Sequence, residues 1–112
     1  MGVLDITNSN TGWLTLWLEP LGEGRWLRPG ETFRIRSDYN GDELDFLVDS
    51  WADEEDRAAG IENVTVVIQR GNPYAEVTDA NGNTVECGHQ RPPEISEKWD
   101  EASRKREERA TP

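Results

Sequence analysis

Cys87-Gly88-His89 brings together the only thiol and the only imidazole of this 112-residue chain. On an extended backbone, residues two apart face the same side, so the pair could serve as a thiolate–imidazole nucleophile or as half of a metal site. A closed zinc site takes four ligands, and with no other Cys or His it needs carboxylates or a second chain to complete it. The plainer reading is a cysteine at the end of a hairpin beside a surface histidine, and no catalytic residue, metal ligand or cofactor is assigned. Asp38, Asn40, Asp42 and Asp49 imitate the first, third, fifth and twelfth positions of a calcium loop. The sixth position is Glu43 where that loop needs glycine, and the flanks read as strands, so a calcium sensor is not expected. Asp79-Ala80-Asn81-Gly82-Asn83 has similar spacing and is better read as a turn.

Two further groups suit recognition better than catalysis. Asp53-Glu54-Glu55-Asp56 is an unbroken run of acids two residues after Trp51. Such a run is ordinarily a solvated loop, and it also suits a basic partner. An aromatic beside a charged loop is a common interface anchor, and equally a lid over the end of a sandwich. Five tryptophans are many for this length. Trp13 and Trp17 are four apart, so on a strand they share a face with Thr15. An aromatic face of that kind binds sugars, prolines or bases when open, or forms the core of a small domain built from few large residues.

The elements that must position these residues read as β. Residues 2–7, 13–18, 25–27, 32–37, 44–48, 63–70, 74–79 and 83–87 are short β-type runs separated by turn signals. The clearest alternation is Phe33 and Ile35 against Arg34 and Arg36. The strongest strand is 63–70, whose β-branched run predicts burial on both faces. Pro29-Gly30 ends a strand, and Asn40-Gly41 and Asn81-Gly82 read as hairpin turns. Residues 49–60 read as a long loop or one helical turn. The pattern predicts an all-β fold: an antiparallel sandwich of seven or eight short strands. Pro92-Pro93 separates this body, residues 1–91, from a tail, 92–112. Within the tail, Ile95 to Arg109 reads as a charged helix with Ser96 as N-cap and Asp100/Arg104 and Glu101/Lys105 as i,i+4 pairs.

Composition narrows the classes of function. There are 12 basic and 23 acidic residues, a formal charge of −11. Residues 1–93 carry 7 arginines and 17 acids, so the body holds −10 of this. That charge repels phosphate backbones and disfavours nucleic acid as a partner, while favouring solubility and basic partners. No apolar run reaches the ~20 residues of a membrane span. No basic segment followed by an apolar stretch opens the sequence, so a secretory leader is not expected. A single cysteine excludes an internal disulfide, and a cytoplasmic location is expected.

The stretch from Asn8 to Phe46 resembles the β domain of the von Hippel–Lindau family. The shared features are Asn8-Ser9, Trp17-Leu18, a glycine-containing turn at 22–24, Leu27-x-Pro29-Gly30, Arg34-Ile35-x-Ser37 and Gly41. Their order and approximate spacing match over about a third of the chain. The resemblance implies a transthyretin-like sandwich that recognises a peptide. Ser37 matches the serine of the family's hydroxyproline pocket, and Trp26 stands near its aromatic. Asp42 and Leu44 replace the family's histidine and tryptophan. The family's elongin-binding helical box has no counterpart, so the resemblance carries over the fold and not a ubiquitin-ligase role.

Together these features predict a small, non-enzymatic, protein-binding module, monomeric or weakly dimeric. Its expected partner is a protein or peptide, with basic partners favoured by charge. The candidate surface carries Trp26, Ser37, Tyr39, Trp51 and the acidic residues Asp53, Glu54, Glu55 and Asp56. The alternatives are an acidic, immunity-type inhibitor covering the basic site of a nuclease or nucleic-acid-binding target, and a carbohydrate-binding module using the tryptophan face.

Overall fold

The computed structural model describes residues 2–93 together with Ile95 and Arg104. Among the described residues the elements follow in the order β1 (Val3–Thr7), β2 (Trp13–Glu19), β3 (Glu23–Leu27), β4 (Thr32–Arg36), β5 (Phe46–Trp51), α1 (Glu54–Ala58), β6 (Ile61–Ile68) and β7 (Glu76–Thr78). They form two sheets. The smaller runs β1-β4-β7 and the larger β3-β2-β6-β5.

Alternation decides what each sheet buries. In β2, Leu14, Leu16 and Leu18 point inward, as do Val64, Val66 and Ile68 in β6. Phe33 and Ile35 of β4 and Val77 of β7 meet them from the other sheet, giving one shared core. A side chain with no polar group gains about 1.5–3 kcal/mol from such burial, and the Leu, Val and Ile here pack with nothing to satisfy. One fully buried polar residue braces a corner. The Asn8 side chain donates to the carbonyls of Gly12 and Leu27, 2.9 Å each, and accepts from the Asn10 N–H at 2.9 Å.

The all-β expectation holds, and its antiparallel form holds in part. Four of the five strand pairings are antiparallel, but β2 and β6 run parallel, with Trp13 opposite Ile61 and Glu19 opposite Val67. The cause is the crossing of the chain between sheets. In the finished smaller sheet β4 lies between β1 and β7, and the segment after it passes to the larger sheet. It arrives as β5 at the far edge, turns back through α1, and β6 then fills the place between β5 and β2. For the same reason Asn40-Gly41 is no hairpin: it lies on the crossover from β4 to β5. Asn81-Gly82 does close a hairpin. The Gly82 N–H bonds to the Asp79 carbonyl at 3.0 Å, Gly82 takes φ 83°, and the Asp79 N–H bonds to the Asn83 carbonyl at 2.9 Å. Its returning arm is a single bridge at Thr84 rather than a strand over 83–87. The helix expected over Ile95–Arg109 falls, apart from Ile95 and Arg104, outside the described residues. No described helix is long and apolar enough to cross a membrane.

Candidate functional site

The face of the larger sheet turned away from the core carries four of the five tryptophans. Register places Trp26, Thr15, Asn63 and Trp51 side by side across all four strands. Trp17 lies one step along, opposite Gly24. That glycine is required by contact: a Cβ there would lie 2.9 Å from the Trp17 ring and 3.2 Å from that of Trp26. With the room it leaves, the two rings meet edge to face, centroids 6.0 Å apart and planes at 71°.

Asn63 ties this face to α1. Its Oδ1 accepts from the Trp17 indole N–H at 3.0 Å, and its Nδ2 donates to Asp56 Oδ2 at 2.9 Å. Asp53 caps the helix, its Oδ1 accepting from the Asp56 N–H at 2.7 Å. Glu54, Glu55 and Asp56 fill the first turn, where the helix dipole favours negative charge. Trp51, Asp53 and Asp56 with Trp17, Trp26 and Asn63 bound a recess of about 210 Å³.

The tryptophans differ in access. Trp26 is 1% exposed and Trp51 is 41% exposed. The Trp26 N–H bonds to the His89 carbonyl at 3.0 Å, and Gln90 Nε2 donates to the Trp26 carbonyl at 2.9 Å. The Arg91 guanidinium lies 5.3 Å from the Trp26 ring centroid. Ile61 and Ile95 close a second small core with Trp26, against which Trp13 packs. His89 to Arg91, with Ile95, thus cover the β3 side of the face and leave the β5 side open.

At β5 the surface changes character. The strand hydrogen-bonds only β6, and every residue after Phe46 is exposed. Leu47 is 50% and Val48 46% exposed. Val48 alternates with core Phe46, yet it remains uncovered because the opposite sheet is one strand narrower. Trp51 is held in place by its indole N–H, 2.8 Å from Thr65 Oγ1.

The residues expected from sequence divide between two places. Trp26, Trp51, Asp53 and Asp56 line the recess, and Glu54 and Glu55 extend from the exposed sides of α1. Ser37 and Tyr39 lie apart, beyond the end of β4 in the smaller sheet. Ser37 is buried, its Oγ 3.3 Å from Asp45 Oδ2 and accepting from the Tyr39 N–H at 3.1 Å. The Tyr39 hydroxyl accepts from the Glu43 N–H at 3.3 Å. Sequence reasoning missed Asn63, Leu47 and Val48. A lone amide in the β-branched run 61–68 was the available signal for Asn63; nothing local marked β5 as an edge.

The other chemical candidates have structural partners. Cys87 is exposed, and the His89 ring packs edge-on to Phe33, centroids 5.7 Å apart. Asp38 accepts from the Asn72 N–H at 2.7 Å. Asp79 accepts from the N–H groups of Asn81 and Asn83, 2.9 Å each, and the Asn83 bond foremost holds its carboxyl below the usual range. Among the described residues, no group of three or more His, Cys, Asp and Glu side chains is placed to hold a metal ion. Comparison of the chain with models of protein families, with curated proteins and with solved structures found no match.

Proposed function

We propose that this chain is a small non-enzymatic module that binds another protein at the end of the larger sheet where β5 meets α1. The observation that carries the reading is the apolar exposure along one edge strand, Leu47 and Trp51 on its outer face and Val48 on the other, with Leu44 just before the strand. Single exposed hydrophobes are ordinary on any surface; a run of them on an open edge is not. Trp51 is oriented by Thr65 while its ring remains accessible, which suits an interface anchor with little side-chain entropy left to lose. Asp53, Glu54 and Glu55 stand beside it in solvent and favour a partner with a basic rim. The peptide recognition implied by the resemblance of residues 8–46 belongs to the same class of function. A reducing compartment such as the cytoplasm suits the exposed Cys87.

Affinity capture with wild type, Trp51→Ala and Asp53→Lys/Glu55→Lys tests the reading. A protein held by the wild type and lost from Trp51→Ala supports it. Equal retention on all three forms overturns it. A second reading, an acidic inhibitor of a basic target, is favoured by α1 itself, which gathers acids on one turn and buries none of its residues. Association that collapses for the double-lysine form at low salt, and equals wild type at about 0.5 M salt, identifies that mode.

A further inference from the structure

We infer that the partner joins this protein by strand addition: an extended basic segment pairs with the outer edge of β5 and becomes the fifth strand of the larger sheet. The inference rests on the protein-binding reading above and adds to it a mode and a chemical class of partner.

The backbone supplies the first reason. β5 is the last strand of its sheet, and alternate residues of an edge strand direct their N–H and C=O groups away from their neighbour. Among the described residues, no backbone group outside β6 bonds to residues 46–51. Natural edges are commonly blunted by proline, a bulge or a covering loop. None of these is found along Phe46–Trp51, which keeps unbroken register with β6 from Phe46↔Ile68 to Trp51↔Asn63.

The side chains supply the second. An added strand would run beside Leu47, Asp49 and Trp51 on one face and Val48 and Ser50 on the other, so its side chains meet apolar surface on both. Asp49 sits at the middle of the edge, Asp45 just before it, and Asp53 and Glu54 just beyond. Opposite charges across a strand pair stabilise it and like charges directly opposite oppose it. A second copy of this chain is therefore a poor occupant. Antiparallel pairing with Asp49 opposite Asp49 sets like charges directly against each other, and every register joins molecules that each carry −11. A segment alternating apolar residues with Lys or Arg meets the same edge with charges matched.

The test uses two synthetic octapeptides, one alternating valine and lysine and one alternating valine and glutamate, with the full chain. Amide hydrogen exchange is followed by NMR. With the lysine peptide at ten times its Kd, exchange at alternate amides within 47–51 is expected to slow about tenfold. The glutamate peptide leaves it unchanged, and Asp49→Lys, an exposed substitution, exchanges the two preferences. No slowing at any β5 amide with about 5 mM lysine peptide overturns the inference. So does equal slowing by both peptides, or slowing that appears with protein concentration alone, which would make the occupant a second copy. If the lysine peptide shifts the Trp51 indole signal while the β5 amides exchange unchanged, strand addition is refuted and the protein-binding reading stands. If captured partners ignore Trp51 while β5 amides are protected, that reading fails and the strand-addition chemistry stands.

Discussion

Replacing Asn63 by leucine should loosen α1 from the sheet it serves. Leucine keeps the branching of asparagine, though its methyl groups are bulkier, and can neither accept from Trp17 nor donate to Asp56. The first bond is neutral, at 3.0 Å, and contributes about 0.5–1.5 kcal/mol net. The second, at 2.9 Å, reaches a carboxylate and belongs to the class worth about 1.5–3 kcal/mol. Asp56 is half-buried, so solvent screens it, and the lower part of that range applies. Asn63 itself is 4% exposed, and leucine recovers some stability by apolar contact. The expected net loss is roughly 2 kcal/mol, a large share of a stability of about 5–15 kcal/mol. For a body of this size it lowers Tm by roughly 8–16 °C. Urea unfolding followed by tryptophan fluorescence measures the loss, and a cycle with Asp56→Ala isolates the pair. A coupling of about 0.5–1 kcal/mol is expected. A variant within about 0.5 kcal/mol of wild type, or additivity with Asp56→Ala, would refute the claim that Asn63 positions the helix.

Other perturbations follow from the same geometry. Gly24→Ala should cost about 1–3 kcal/mol and alter the near-ultraviolet circular dichroism, because its methyl group enters the space of the Trp17 ring; an unchanged spectrum would contradict that contact. Asn8→Asp should destabilise more than Asn8→Ala at neutral pH, since a buried carboxylate would face the Gly12 and Leu27 carbonyls. Its folded pKa would be raised, so part of the loss should be recovered as pH falls, and melting curves with no pH dependence would argue against it. Asp5 and Asp79 should titrate below the ordinary aspartate range in a carbon-detected NMR titration. The Arg34 hydrogen bond foremost lowers Asp5, and Arg34→Met should return it upward. Because both folded pKa values are depressed, their contribution is present above the ordinary aspartate range and is lost as pH falls through the lowered values. Ile95→Ala should lower stability by about 2–4 kcal/mol through the second core, and an unchanged Tm would show that Ile95 does not support it.

Much of the strand content was legible because alternation is local. Phe33 and Ile35 against Arg34 and Arg36, or the run 61–68, announce a strand whatever its neighbours. The partners were not legible, because pairing depends on which strands the whole chain brings to each sheet edge. Asn40-Gly41 has the composition of a hairpin turn, but the place beside β4 is taken by β7, a later strand, and the chain crosses over instead. The site was half legible for the same reason. Trp51 and the acids beside it are neighbours in sequence and remain neighbours in space. Trp26 joins them through sheet register and is then covered by His89 to Arg91 and Ile95, a long-range event that no motif near Trp26 encodes. Ser37 joins the expected surface through its match to the pocket serine of the resembled family, with Tyr39 close to it in sequence, and the sheet switch after β4 separates both from Trp51 and α1.

The parallel pairing of β2 with β6 also bears on how the chain is made. The two central strands of the larger sheet are roughly 50 residues apart in sequence, so the entropy of closing that loop must be met before their contacts give anything back. A nascent chain leaving the ribosome can form the β2–β3 hairpin early, but one edge of β2 stays unpaired until β6 has emerged. At ordinary translation speeds of about 5–20 residues per second, that interval lasts several seconds. Through it, Leu14, Leu16 and Leu18 lack their β6 neighbours Val64 and Val66. The time of greatest exposure to aggregation therefore falls during synthesis, and the segment most in need of chaperone cover is the first half of the larger sheet. The edge at β5 arrives shortly before the strand that fixes it, with only α1 between them, so its wait is far shorter than that of β2.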